Sequence, residues 1–401
     1  MVKDLSGPPP LSRLVLPIGV ASLCRFLLNT ARRFPYPFAP ALSRGLDVPL
    51  AAITSLIAVN QVTGLLSLVF GPMADRWGYR IMLLLGMGSL AAGMLGSGLF
   101  PLYGVILVGL FLAGLGKSMF DPALQAYVGE RVPFRRRGLV VGAMEIVWAG
   151  STLVGVPLIG LLIARFGWRA PFFALGGLAL LGMAVLGVVI HDGGVGRREA
   201  IARFAMLSAW KKLLRERAGL GMLGFAFFHS MANDNFFVIY GAWMEQSFHL
   251  TVVALGMTTT VIGCAELLGE TLTASLGDRL GLRRCMRIGL VLSTLSYLVL
   301  PSLQHALPGA LAALFSIFLF TEFAIVSAIS LCTEVMPDAR ATMMSGYLAA
   351  ASFGRVLGAI MGGIIWALGG LSTVAFLSAF FNVLAMLSLG WGLRSWSRGR
   401  A

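Results

Sequence analysis

Charged side chains inside long apolar runs are the residues of this chain best suited to chemistry. On insertion scales each costs about 2.5–3.5 kcal/mol near the centre of a bilayer, so such groups must face one another or water. They are Arg25, Arg32, Arg33, Lys117, Asp121, Glu145, Asp234, Glu266, Glu270, Glu322 and Arg355. Facing lipid, they would together cost on the order of 20 kcal/mol, which exceeds the net stability of a typical protein. We therefore expect them to form an internal polar site.

Several polar residues share one helix face, which brings their side chains together. Arg25, Asn29 and Arg32 follow the spacing i, i+4 and i+7. Lys117 and Asp121 are four residues apart on another segment. Two guanidinium groups on one face suit a carboxylate or a phosphate. The predicted substrate-binding residues are Arg25, Asn29, Arg32, Lys117, Asp121, His229, Asn233, Asp234 and Glu322.

The intramembrane carboxylates are candidates for proton coupling. Apolar surroundings favour the neutral form of a carboxylic acid, which allows it to exchange a proton during a cycle. The candidates are Asp234, Glu322, Glu145, Glu266 and Glu270. Glu266 and Glu270 are four residues apart and would repel each other unless one is protonated or Arg355 lies between them. The alternative is a set of static ion pairs holding the protein together, for example Arg32 with Asp234.

The composition indicates which elements hold these residues. Of 401 residues, 58% are hydrophobic and 12% are charged, compared with about 25% charged residues in soluble domains. Lipid accepts so much apolar surface on the outside of a protein, whereas a soluble core could not hold it. Twelve runs are long enough for a membrane span of roughly 20 residues. They lie near 14–40, 50–73, 80–100, 102–128, 138–164, 168–190, 219–243, 252–276, 284–304, 308–336, 342–368 and 371–392.

A long hydrophilic stretch separates the sixth run from the seventh. It is rich in Lys and Arg and has the pattern of an amphipathic helix, which is typical of a linker lying on an anionic leaflet. A partner-binding site is the alternative for this stretch. The chain is predicted to form an N-terminal six-helix bundle at 1–190, a cytoplasmic amphipathic linker at 191–218 and a C-terminal six-helix bundle at 219–401.

The net charge of +14 is distributed unevenly along the predicted topology. Most of the 31 Lys and Arg residues fall on the side of both termini, and only Arg44, Arg165 and Arg169 fall in loops on the other side. This asymmetry follows the positive-inside rule and predicts an inner-membrane protein with both termini in the cytoplasm. Because the basic residues have this role and are not interleaved with aromatic residues, we predict no nucleic-acid partner.

A six-residue segment occurs twice, as Asp75-Arg76-Trp77-Gly78-Tyr79-Arg80 and as Asp278-Arg279-Leu280-Gly281-Leu282-Arg283. A duplication of charged joints in an apolar chain predicts two homologous membrane bundles. The Asp side chain can pair with a neighbouring Arg or face a helix N-terminus, and the glycines permit close approach. The predicted gating residues are Gly71, Asp75, Arg76, Gly78, Arg80, Asp278 and Arg279. The alternative is a helix-ending turn with snorkelling arginines.

These joints resemble those of the major facilitator superfamily. The segment from Gly71 to Arg80 is similar to the family signature G-x-x-x-D-R-x-G-R, and Asp278–Arg284 is similar to its second copy. Pro133 with Arg135–Gly138, and Phe166–Arg169, resemble two further joints of the family. The resemblance implies an all-α membrane protein in which twelve helices form two pseudo-symmetric six-helix bundles. These bundles rock about a central site lined by helices 1, 4, 7 and 10.

One motif bears on the branch of the family. Gly150–Gly160 resembles a degraded form of the G-x-x-x-G-P-x-x-G-G motif of the drug:proton antiporters. Pro157 fits this motif, whereas Val156 replaces a glycine. The arginine that the antiporters carry four residues before a glycine is Leu110 here. The resemblance therefore extends to the drug:proton antiporter and metabolite efflux branch, with these departures.

The sequence predicts a secondary active transporter that exports a small amphipathic or anionic organic compound in exchange for protons by alternating access. A flippase for a lipid or lysolipid, an importer of a metabolite anion, and a transporter-like sensor without flux are alternatives. No nucleotide-binding lysine loop occurs, and the four His and four Cys lack metal-ligand or disulfide spacing. We therefore predict no enzyme activity, cofactor or metal. The expected partners are the substrate, protons and membrane lipids, and the expected form is a monomer.

Overall fold

The structure is a computed structural model that describes residues 11–66, 69–70, 73, 77–132, 144, 146–190, 210–336, 340–394 and 396. Its helices are α1 (Leu11–Arg33), α2 (Ala39–Leu46), α3 (Leu50–Val62), α4 (Tyr79–Leu99), α5 (Tyr103–Arg131), α6 (Val156–Phe166), α7 (Ala170–Val189), α8 (Arg217–Phe237), α9 (Tyr240–Phe248), α10 (Val252–Leu280), α11 (Leu282–Leu303), α12 (Leu307–Val335) and α13 (Arg340–Gly392). These ranges contain no β-strand. We refer to α1–α7 as the N-terminal half and to α8–α13 as the C-terminal half.

The described helices fit the predicted number of spans. Nine helices in the described ranges are long and apolar enough to cross a membrane, or ten if the bent pair α2 and α3 forms one span. α13 has a break at Gly370, where φ is 64°, and so holds two spans. α8 contains 21 residues, which reach about 30 Å. It is long enough to cross a membrane, but its polar side chains make it less apolar than the nine helices counted above. The second span of α13 and the span of α8 bring the ten to twelve. The all-α membrane fold is confirmed.

Apolar side chains cover the outside of the molecule as well as its core. Large side chains such as Val188 (74% exposed), Leu368 (80%) and Leu387 (63%) lie on the outer surface. Phe120 and Tyr297 are fully buried between helices. A surface of this kind is stable in lipid rather than in water, so the polar residues of the helices are left to face inward.

The glycine of the duplicated segment has a similar backbone conformation in both halves. Gly78 precedes α4 with φ 94°, and Gly281 precedes α11 with φ 83°. Residues with a Cβ rarely adopt this conformation, which explains the glycine at both positions. The helices that follow also pack in the same manner. A Cβ on Gly116 of α5 would lie 2.4 Å from the Gly86 carbonyl of α4, and one on Gly289 of α11 would lie 2.9 Å from the Phe320 carbonyl of α12.

Candidate functional site

Arg25, Asn29, Lys117 and Asp121 form one cluster, which we call the N-terminal cluster. Lys117 Nζ donates to Asp121 Oδ2 (2.6 Å) and to Asn29 Oδ1 (2.5 Å). Arg25 Nε donates to Asp121 Oδ1 (3.3 Å), and Arg25 Nη1 donates to the Met144 carbonyl (2.9 Å). The structure thus brings the predicted polar face of α1 into contact with the predicted Lys117–Asp121 pair of α5. Two cations share one carboxylate, which leaves these four residues with a surplus positive charge.

Asn29 has a hydrogen-bonding group without a partner. Its side chain is 0% exposed, and within the described part of the chain nothing accepts a hydrogen bond from its Nδ2. A buried polar group that makes no hydrogen bond costs about 1–3 kcal/mol. An acceptor atom on a bound ligand would remove this cost.

Trp148 is a site residue that the sequence analysis missed. The Arg33 guanidinium lies 4.0 Å from its ring centroid, and Lys117 Nζ lies 5.3 Å away. Both distances allow a cation–π interaction. Trp148 is followed by a π-helical turn, Ser151–Gly155, a feature that often marks functional sites. In the sequence it lies in an apolar run, and no feature of that run distinguishes it from a tryptophan that faces lipid.

A buried ion pair joins the two halves. Arg33 Nη1 and Nη2 donate to the two carboxylate oxygens of Glu266, each at 2.8 Å. Thr152 accepts a hydrogen bond from Arg33 and donates to Glu266 Oε2 (3.3 Å). Both charged side chains are at most 8% exposed. The counter-charge of Glu266 is therefore Arg33 of the other half, whereas the sequence had offered a proton or Arg355 as ways to relieve its repulsion with Glu270.

Arg32 and Asp234 are connected through two neutral side chains. Arg32 Nη2 donates to Gln61 Oε1, and Gln61 Nε2 donates to the Tyr36 hydroxyl (2.5 Å). The Tyr36 hydroxyl donates to Asp234 Oδ1 (2.8 Å). Arg355 Nε lies 3.9 Å from Asp234 Oδ2. The direct pair of Arg32 with Asp234 that the sequence left open is not formed, and Arg32 has no ion pair with any described residue.

Glu322 is a half-buried carboxylate on α12. It forms no hydrogen bond or ion pair with a residue that the structure describes. Its backbone packs against Gly269 of α10, where a Cβ would lie 2.9 Å from Glu322 Cβ. The charges that act on it are those of Glu266, Glu270, Arg33 and Arg355. Two of these groups are carboxylates and two are guanidinium groups, so a proton or a cation at Glu322 would change the balance of charge among them.

His229 and Asn233 lie one turn apart on α8. His229 is 1% exposed, and its Nδ1 lies 2.8 Å from Asn382 Oδ1. Its Nε2 lies 3.5 Å from the carbonyl of Thr321, the residue before Glu322. Asn233 Oδ1 is shielded and accepts no hydrogen bond from the described residues. Of these two predicted residues, Asn233 is therefore the one with a free binding atom.

Comparison with known proteins identifies the family. The family model described as Major Facilitator Superfamily matches residues 21–231 and 222–398. The chain belongs to the major facilitator superfamily. It is thus a multi-pass membrane transporter, and the membership confirms the resemblance found in its joints.

Individual members of the superfamily align with most of this major facilitator chain. The inner membrane transport protein YdhP of Escherichia coli (strain K12) is 25% identical over 382 residues, which cover 92% of this chain and 94% of that protein. The multi-drug resistance efflux pump PmrA homolog of Lactococcus lactis is 24% identical over 357 residues, 85% of each chain. The solved structure of a D-xylose–proton symporter shares the fold with a TM-score of 0.79 at 16% identity, over 94% of this chain and 98% of that one.

The predicted gating residues of this major facilitator transporter are described in part. Gly71, Asp75 and Arg76, together with the proton candidate Glu145, lie outside the described residues. For Asp278 only its place in α10 is described. Arg80 Nη2 donates to the Gly187 carbonyl (2.5 Å), which joins α4 to α7 within one half. Arg279 is exposed at the end of α10.

The two halves of the transporter also meet at the far ends of α1 and α8, away from the chain termini. A Cβ on Gly241 of α9 would lie 2.4 Å from the Pro37 carbonyl, so the backbones are in direct contact. Beside it, Arg44 donates to both carboxylate oxygens of Glu245 (2.9 and 2.8 Å). The Tyr36–Asp234 hydrogen bond lies between this contact and the interior charges. The two halves are thus in contact on the side opposite the termini.

Proposed function

We propose that this major facilitator protein is a proton-coupled exporter of a small amphipathic or anionic organic compound. It would act as a monomer in the inner membrane, with both termini in the cytoplasm. The two bundles, 1–190 and 219–401, would rock about the interior charges, and the basic linker would lie on the cytoplasmic leaflet. The membrane supplies lipids as the surrounding partner, and we assign no cofactor.

One observation carries this proposal: the interior charges have opposite signs in the two halves. In the N-terminal half the described interior charges are Arg25, Arg32, Arg33, Lys117 and Asp121. In the C-terminal half they are Asp234, Glu266, Glu270, Glu322 and Arg355. The cationic half suits an anionic group of the substrate, and the acidic half suits protons. The anionic group of the substrate and the proton would therefore bind to different halves of one interior.

The contacts between the halves suggest how transport would proceed. Opening toward the side opposite the termini would require the Arg33–Glu266 ion pair and the Tyr36–Asp234 hydrogen bond to break. A proton taken up by an interior carboxylate would weaken the attraction between the halves and favour this opening. Asp75 and Asp278 would bias the opposite closure, on the side of the termini. Each ligand acts through its different affinity for the two states.

The relatives favour export over import. The PmrA homolog of Lactococcus lactis is named as an efflux pump. The present chain lacks the arginine that its antiporter resemblance would place at Leu110, and Val156 replaces a glycine of the helix 5 motif. We therefore assign it to the efflux branch with a substrate that its own cationic half can bind, rather than to a general exporter of cationic drugs.

Proton flux in proteoliposomes tests the proposal. The purified protein is reconstituted with a pH-sensitive dye inside, and a panel of aromatic carboxylates, lipophilic cations and lysolipids is added under an imposed pH gradient. We expect a carboxylate to drive proton movement in the unmodified protein and in Glu216→Gln, an exposed control. Glu322→Gln should abolish this movement.

The same assay decides between the alternatives. Carboxylate flux without proton movement would contradict proton coupling. A response restricted to lysolipids would support the flippase. Accumulation of the carboxylate only on the side of the termini, under an inward proton gradient, would support the importer of a metabolite anion.

A further inference from the structure

Some of the unsatisfied interior groups form a complementary set, with donors in the N-terminal half and acceptors in the C-terminal half. In the N-terminal half, Asn29 Nδ2 is a buried donor without a partner, and Arg32 has only the neutral amide of Gln61. In the C-terminal half, Asn233 Oδ1 is a shielded acceptor without a partner. Glu322 likewise has no described partner. The two groups of residues are therefore complementary to opposite ends of one molecule.

We propose that the transported compound is zwitterionic. Its acidic group would be held by Arg32 and Asn29, and its cationic group by Glu322 and Asn233. This inference rests on the proposed export function and specifies its substrate class. A simple anion would leave Glu322 and Asn233 unpaired, and a simple cation would leave Arg32 and Asn29 unpaired.

The helix geometry supports both ends of this assignment. Asn29 and Arg32 are three residues apart on α1 and therefore share a face. Asn233 lies one turn beyond His229, whose ring contacts the carbonyl of Thr321 beside Glu322. Arg32 and Glu322 are both half-buried, whereas Arg33, Lys117 and Glu266 are at most 8% exposed in their side chains. The two charges without ion pairs are thus partly exposed, whereas Asn29 Nδ2 and Asn233 Oδ1 are shielded.

The assignment also gives a balanced exchange reaction. The carboxylic acid of Glu322 releases its proton, and the resulting carboxylate accepts N–H donors from the ammonium group of the substrate. Proton and ammonium occupy the same carboxylate in turn, as antiport requires. Because a zwitterion carries no net charge, exchange for one proton would move a single positive charge inward in each cycle. An anion leaving in exchange for a proton would instead move the equivalent of two positive charges inward.

Ligand-dependent thermal stability tests the substrate class. The probes are para-aminomethylbenzoate, para-methylbenzoate and para-methylbenzylamine, which present the zwitterion, acid and amine on one scaffold, together with homologues whose aminoalkyl chain is longer. We expect a zwitterion to bind about tenfold more tightly than its matched acid or amine, a difference of about 1.4 kcal/mol. Glu322→Gln should make zwitterion and acid equal, and Arg32→Gln should make zwitterion and amine equal. Glu216→Gln should change neither ratio.

The outcomes separate the inference from the proposed function. If acids bind as tightly as zwitterions and Glu322→Gln has no effect, the zwitterion assignment is wrong while export of an anion stands. If amines bind best and Arg32→Gln has no effect, both are wrong. Should Arg32→Gln or Glu322→Gln unfold, Arg32→Lys and Glu322→Asp keep the charge and should retain the preference for zwitterions at reduced affinity.

Discussion

The N-terminal cluster and Glu322 of the C-terminal half hold their charges in different ways. In the N-terminal half, Arg25 and Lys117 both bind Asp121, so the cations are fixed by a shared carboxylate. In the C-terminal half, Glu322 has no described partner, although it lies in the field of two other glutamates. Paired charges hold a binding geometry, whereas an unpaired carboxylate can change its protonation state. The N-terminal cluster is therefore suited to hold a fixed binding geometry, and Glu322 is suited to exchange a proton.

The largest expected effect distinguishes a paired glutamate from an unpaired one. Glu266→Ala removes the partner of Arg33 and should lower the free energy of unfolding by about 3–5 kcal/mol, because a buried cation is left without a counter-charge. Glu322→Ala should change it by less than about 1 kcal/mol, since no described partner is lost. Denaturant titration of both variants in the same detergent measures the difference. Equal losses would remove the contrast between the two glutamates.

A double variant sharpens this result. Arg33→Met combined with Glu266→Met replaces the whole pair by apolar side chains, which is often neutral or stabilising for buried pairs. The combined variant should therefore recover most of the stability that Glu266→Ala loses. Failure to recover would indicate that the geometry of the pair, rather than its charge balance, stabilises the contact between the halves.

Substitution of the two duplicated aspartates, Asp75 and Asp278, tests whether the two copies of the segment contribute equally to gating. Asp75→Asn should reduce the turnover rate about tenfold or more, equivalent to about 1.4 kcal/mol in the barrier, while ligand affinity stays nearly constant. Asp278→Asn should reduce turnover less, because its segment matches the family signature less closely. Transport rates and thermal-shift affinities are measured on the same preparations. A parallel loss of binding and turnover in Asp75→Asn would contradict a gating role.

The indole of Trp148 connects the N-terminal cluster with the ion pair between the halves. Trp148→Leu should reduce the free energy of unfolding by about 0.5–2 kcal/mol through the lost cation–π contacts with Arg33 and Lys117. Trp148→Phe keeps a ring and should lose less. Denaturant titration compares the two variants. If Phe and Leu are equally destabilising, packing of the indole rather than its π face accounts for the effect.

The Tyr36 hydroxyl forms a second contact between the halves, a hydrogen bond to Asp234 rather than an ion pair. Tyr36→Phe removes the hydrogen bond to Asp234 and the one accepted from Gln61, and should cost about 1–3 kcal/mol. It should also shift the population toward opening on the side opposite the termini. Electron spin distances between labels on Leu46→Cys and Ser247→Cys report this opening. An unchanged distance distribution would mean that the hydroxyl does not hold this side closed.

The smallest effect is expected at the exposed pair. Arg44 is 61% exposed in its side chain, so its bidentate contact with Glu245 is screened by solvent. Arg44→Gln should change stability by at most about 1 kcal/mol, and less at high salt. The same label pair and a salt titration test this. A loss as large as that of Glu266→Ala would show that exposure does not govern the strength of these contacts.

Much of the fold could be predicted from local sequence. The apolar runs predicted the spans, and the duplicated segment predicted the matching turns at Gly78 and Gly281. The predicted boundary between the last two runs falls at Gly370, where α13 breaks. These features depend on residues close in sequence, because helix length, apolarity and a glycine with positive φ are local properties.

The partners of the interior charges could not be predicted in the same way. The i, i+4 spacing placed Lys117 with Asp121, which are paired in the structure. Spacing gave no means of choosing Arg33 rather than Arg355 as the partner of Glu266. The static pair of Arg32 with Asp234, offered as an example, is not formed because Gln61 and Tyr36 intervene. Trp148 carried no sequence signal at all. The partner of each charge depends on which helices pack together and on how far they are shifted along their axes relative to one another.

The sequence by itself determined that this protein is a membrane transporter of two repeated halves with charges that must face inward, because lipid excludes unpaired charge from every outer surface. Only the tertiary structure decided which charges neutralise each other and which remain available to a ligand. A side chain forms an ion pair only within a few ångströms of its partner, and that distance is set by the packing of helices far apart in the chain.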